Sequence, residues 1–64
     1  MTVIDIAERV RGAIVEAGIR AYEDAGVQGL CEEGRFEAAV SAMRSVDLTP
    51  IAESARQGPA NARG

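Results

Sequence analysis

The sequence predicts an all-α fold: a helical hairpin with a long first helix over about residues 2–33, a second over about 35–47, and a short third over about 50–57. Three observations predict it. Apolar residues recur at steps of three and four along the first half of the chain, the period of a helix face. A second run with the same period follows the glycine at position 34. Neither run shows the apolar–polar alternation of a half-buried strand.

The first helix opens at Thr2, a favourable N-cap. Asp5, three residues on, supplies an acidic variant of the capping box. Asp5 and Glu8 also suit the positive end of a helix dipole. Val3, Ile6, Ala7, Val10, Ala13, Ile14, Ala17 and Ala21 then carry the helical period. Gly18 offers a place to stop. The period crosses it without a change of phase, however, so one long helix is expected, at roughly 1 kcal/mol against alanine at that position. Ala13, Ala17, Ala21, Ala25 and Gly29 fall at strict steps of four. Such a stripe of small residues follows one narrow, slowly drifting line on a helix and lets another helix come close. Ile4, Val15, Ile19 and Tyr22 lie outside it. The first helix is therefore apolar on more than one face, and a single neighbour within the chain cannot cover all of it.

Glu32-Glu33-Gly34 reads as the break, because Gly34 is free to take the left-handed conformation that ends helices. Beyond it, Phe36, Ala39, Val40, Met43 and Val46 are spaced i, i+3, i+4, i+7 and i+10, an amphipathic pattern, with Glu37, Ser41 and Arg44 on the opposite side. Pro50 disfavours helix at Thr49 and ends this element. Thr49 is then expected to cap the third helix, with Pro50 at the first helical position. Gly58-Pro59 is expected to stop it, leaving a single domain over 1–57 and a flexible tail over 58–64. The expected hairpin core is Ile6, Val10, Ala17, Ala21, Phe36, Ala39, Val40 and Met43, with Tyr22 as a further packing or interface residue.

Gly34-Arg35-Phe36-Glu37-Ala38-Ala39, continuing to Ala42, Met43, Leu48 and Pro50, resembles the second half of a tetratricopeptide repeat. That family ends its first helix at a glycine, opens the second with an aromatic, places a small residue three on, and closes near a proline. Gly34, Phe36, Ala39 and Pro50 stand in those roles, with the proline one residue early. Val27 departs from the family's small residue, and no tryptophan precedes it. The resemblance covers residues 34–50 of one unit, whereas a repeat fold stacks about three. It implies protein binding rather than catalysis.

Composition excludes several classes of function. At 64 residues the chain is one domain at most. Domains of this size rarely gain more than about 3–5 kcal/mol from their cores unless a disulfide, a metal or a partner adds to it. Cys31 is the single cysteine and histidine is absent, so an internal disulfide is impossible and a structural zinc site is not expected. No cofactor is expected. Net charge is −3, and the seven basic residues, all arginine, form no cluster, which disfavours nonspecific nucleic-acid binding. Tyr22 and Phe36 are the only aromatics, too few for a base-stacking surface. No apolar stretch is long enough to span a membrane, and the lone thiol fits a reducing compartment, so a cytoplasmic protein is expected.

Individual reactive groups read blandly. Cys31 has Glu32 and Glu33 beside it and no histidine to act as its base, so it is expected to be a small buried packing residue. The acid pairs Glu23-Asp24 and Glu32-Glu33 lack an accompanying histidine and read as solvated helix faces. The glycines at 26, 29 and 34 have no P-loop spacing, and the chain contains no lysine. No catalytic residue is expected.

The function these readings favour is a noncatalytic protein–protein interaction module, a small accessory or regulatory subunit that forms a homodimer or joins a larger protein. The alternative is a small regulator of a DNA-linked system, antitoxin-like or anti-regulator. The turn between two helices resembles a helix-turn-helix, although the acidic charge opposes direct contact with DNA.

Overall fold

The computed structural model describes the backbone of residues 2–63 and the side chains of residues 2–56. It is all-helical, with no strand among the described residues. α1 spans Val3–Val27, α2 Glu32–Ser45 and α3 Thr49–Arg63. α1 and α2 form a hairpin. α3 follows after a short extended connection and touches α1 only lightly.

α1 begins as the sequence predicts. Thr2 Oγ1 accepts from the Asp5 N–H at 3.1 Å, and Asp5 Oδ2 accepts from the Thr2 N–H at 3.2 Å, so two otherwise orphaned donors are satisfied. The helix passes Gly18 unbroken but ends six residues earlier than expected. The residue that ends it is Gly29, not Gly34. Gly29 takes φ +89°, its N–H donates to the Gly26 carbonyl, and the Leu30 N–H donates to the Ala25 carbonyl, both at 3.0 Å. These two bonds make a Schellman closure, with glycine where the left-handed residue must sit.

Gly34 instead lies in the first turn of α2, with its bare Cα against Leu30; a Cβ there would stand 3.2 Å from Leu30 Cδ2. Cys31 is the N-cap of α2. It contributes its carbonyl, which accepts from the Arg35 N–H at 2.9 Å, and makes no side-chain cap bond. Glu32 and Glu33 therefore occupy the first turn of α2, and Arg44 its last turn, both favourable to the dipole. At the third helix the capping acceptor is Asp47 rather than Thr49: Asp47 Oδ1 accepts from the Thr49 N–H at 3.0 Å, and the Leu48 carbonyl accepts from Ile51 and Ala52 at 3.1 Å. α3 is longer than the expected 50–57. Gly58-Pro59, expected to stop this helix and open a flexible tail over 58–64, lie instead within α3, whose backbone runs to Arg63; residue 64 lies outside the described residues.

The molecule is long and thin, 52 × 17 × 14 Å, with a radius of gyration of 15.4 Å. A compact domain of this length would have a radius near 11 Å. The interior is correspondingly small. Among the described residues only Gly18 and Ala25 are buried, and Ala25 is the one buried apolar side chain. Ile6, Val10, Ala17, Ala21, Tyr22, Ala39, Val40 and Met43 are half-buried. Phe36, expected in the core, is 65% exposed. α2 turns Ala39 and Met43 toward α1 and leaves Phe36 on its outer side, in line with Val40 and Arg44.

Candidate association surface

Two glycines on α1 set how closely α2 approaches. A Cβ on Gly18 would stand 2.9 Å from Met43 Cγ and 3.0 Å from Met43 Sδ. A Cβ on Gly26 would stand 2.8 Å from Arg35 Cζ. Both fall inside ordinary van der Waals contact, so the absence of a side chain is what lets Met43 and Arg35 lie across α1. These two glycines lie one residue beyond Ala17 and Ala25 of the predicted small-residue stripe, of which Ala25 is buried and Ala13, Ala17 and Ala21 are half-buried.

At the loop end of the hairpin, Arg35 is the centre of a polar latch. Its guanidinium carbon lies 4.1 Å from the centroid of the Tyr22 ring, within cation–π range. Its Nε donates to the Tyr22 carbonyl at 3.3 Å, and its Nη1 lies 4.0 Å from Glu32 Oε1. The Tyr22 hydroxyl donates to Glu32 Oε2. That hydrogen bond to a carboxylate holds the Tyr22 phenol above its ordinary pKa, with partial burial adding to it and the Arg35 charge opposing it. Sequence reasoning missed the latch because its members lie ten to thirteen residues apart, across a turn placed elsewhere.

Beside the latch the two helices leave a shallow apolar groove. Val15 and Ile19 form one wall, Ala39 and Met43 the other, with Gly18 at the base and Tyr22 and Glu23 at one end. Val15 is 48% exposed and Ile19 54%. Past Tyr22 the surface continues to Phe36, edged by Glu32, Glu33 and Glu37. From Phe36 it runs along α2 past Val40 to Arg44. One continuous face therefore carries five of the residues predicted for packing: Tyr22, Phe36, Ala39, Val40 and Met43. Ile6, Val10, Ala17 and Ala21 lie on α1 outside these grooves.

Cys31 is exposed at the N-terminus of α2, which corrects the expectation of a buried thiol; the turn at Gly29 comes before it and turns it outward. Among the described residues no group of three or more histidine, cysteine or acidic side chains converges as a metal site. No described helix is long and apolar enough to cross a membrane. Set against family models, curated proteins and solved structures, the chain matches none.

Proposed function

We propose that the chain is a noncatalytic protein-association module, a small accessory or regulatory subunit that binds through its helical surface. The observation that supports this is the imbalance between buried and exposed apolar groups. Among the described residues Ala25 is the only fully buried apolar side chain, while Val3, Ile4, Val15, Ile19, Val27, Leu30 and Phe36 are each 42–87% exposed. The rest of the hairpin interior is made of half-buried side chains such as Ile6, Val10, Val40 and Met43, so a monomer leaves much apolar surface in water. Covering such side chains against another chain gains roughly 25 cal/mol per Å² of apolar surface removed from water. Contiguous apolar surface, such as that which Val15 and Ile19 form with Ala39 and Met43, marks association sites.

The test is the behaviour of the dilute, monomeric chain. It should bind an apolar fluorescent dye and melt over a broad range without a sharp cooperative step. A monomer that melts sharply and binds no dye would overturn the association reading.

A further inference from the structure

We propose that the Val15–Ile19 groove is the seat of a second copy of this chain, bound antiparallel about a two-fold axis near residue 17. The inference rests on the association reading above and names both the surface and its occupant. Three observations carry it.

The first is charge. Arg11, Val15, Ile19 and Glu23 fall at strict steps of four on α1, which places them along one ridge. Read in the opposite direction the ridge is its own complement. Antiparallel pairing about residue 17 sets Arg11 against Glu23 of the second copy, Val15 against Ile19 of the second copy, and the reverse by symmetry. Ridges of this four-residue kind are the ones that interdigitate in the commonest helix packing, and a two-fold interface requires this self-complementarity. All four residues are exposed. Glu23 forms no ion pair within the chain among the described residues, and Arg11 reaches only Glu8, at 3.6 Å on the open surface.

The second is shape. Met43 fills the space over Gly18, and Val15 and Ile19 stand exposed beside it, with Ala39 and Met43 across a shallow groove. An isoleucine from an apposed helix can lie along that groove against Val15 and Met43. Ile19 is itself the exposed side chain beside it.

The third is area. The chain exposes 4885 Å², against roughly 3,900 Å² for a compact monomer of the same mass. The surplus, about 1,000 Å², is spread over a chain 52 Å long, α3 included, and is of the order of the roughly 800 Å² that each partner contributes to a standard stable interface.

The experiment is sedimentation equilibrium on the full chain and four exposed-site variants, with circular dichroism to confirm that each remains helical. The wild type is expected at about twice its 6.7 kDa mass at micromolar concentration. Ile19→Glu should give a helical monomer. Arg11→Glu and Glu23→Arg should each weaken association about tenfold, since symmetry places each change at two contacts. The double variant Arg11→Glu/Glu23→Arg should return to within about threefold of wild type. A dimer that survives Ile19→Glu, or a double variant as weak as the singles, overturns this surface and register while leaving the association reading intact. A wild type that stays monomeric at 100 times that concentration overturns the second copy as occupant. If that monomer also melts sharply and excludes dye, the association reading fails with it.

Discussion

Met43 lies across Gly18: an added Cβ at Gly18 would come within 2.9 Å of Met43 Cγ. This contact fixes the spacing of α1 and α2 at the middle of the hairpin, and it separates the roles of glycines that look alike in the sequence. Gly12 sits exposed in the same helix with nothing within 4 Å of its added Cβ. Gly12→Ala should therefore stabilise the fold by about 0.5–1 kcal/mol through backbone entropy alone. Gly18→Ala gains the same term but must displace Met43, and a net loss of about 1 kcal/mol is expected. Urea unfolding of the two variants checks this; equal stabilisation by both would show that Met43 is not seated on α1.

Gly29 makes the opposite case. A Cβ there meets no atom within 4 Å, yet its φ of +89° is costly for any residue with a side chain. Gly29→Ala should cost about 1–2 kcal/mol, and Gly29→Asn less, since asparagine tolerates the left-handed region better. Gly34→Ala has normal helical geometry and should be limited only by its contact with Leu30. Thermal unfolding of the three variants, ranked, tests where the turn lies.

Arg35 should matter more than its surface location implies. Arg35→Ala removes the ring contact, the bond to the Tyr22 carbonyl and the pairing with Glu32, and should cost about 1–2 kcal/mol. Arg35→Lys keeps the charge but loses the planar stacking and the Nε donor, so it should recover only part of the loss. Chemical denaturation of both variants, with Tyr22→Phe as the probe of the hydroxyl bond alone, apportions the latch.

Stability should fall at both ends of the pH scale, for different reasons. Asp5 and Asp47 are held below their ordinary carboxylate range by the backbone N–H groups of Thr2 and Thr49. Their folded pKa values lie below the unfolded ones, so the caps contribute fully above about pH 4 and are lost as pH falls through the folded values. Tyr22 is shifted the other way by its bond to Glu32. Its contribution is complete below about pH 10 and is lost as pH rises through the higher folded value. Helicity followed by circular dichroism from pH 7 down to 2 should show an acid limb that Asp5→Asn diminishes. The alkaline limb should disappear in Tyr22→Phe.

Phe36 lies outside the hairpin interior, so Phe36→Ala should leave the helicity of the dilute monomer nearly unchanged, as circular dichroism reads it, where removal of a core phenylalanine would abolish most of it. A large loss in the dilute monomer would return Phe36 to the core.

The sequence by itself determined the helical fold, the hairpin, the N-cap of α1 at Thr2 and Asp5, and the passage of α1 through Gly18. These follow from local terms: the 3.6-residue period and side-chain-to-backbone bonds that span three residues. The apolar surplus of α1 was legible too, because it is a count of faces on one helix. What only the tertiary structure decided was which glycine turns the chain, which faces meet, and where Phe36 and Cys31 point. Gly29 and Gly34 are equally free to adopt positive φ, and the choice between them depends on the register in which α2 packs on α1. That register brings Met43 to Gly18 and Arg35 to Gly26 and Tyr22, contacts between residues far apart in the chain. No periodicity within either helix encodes them, because periodicity reports which face is apolar and not which residue on the facing helix it meets.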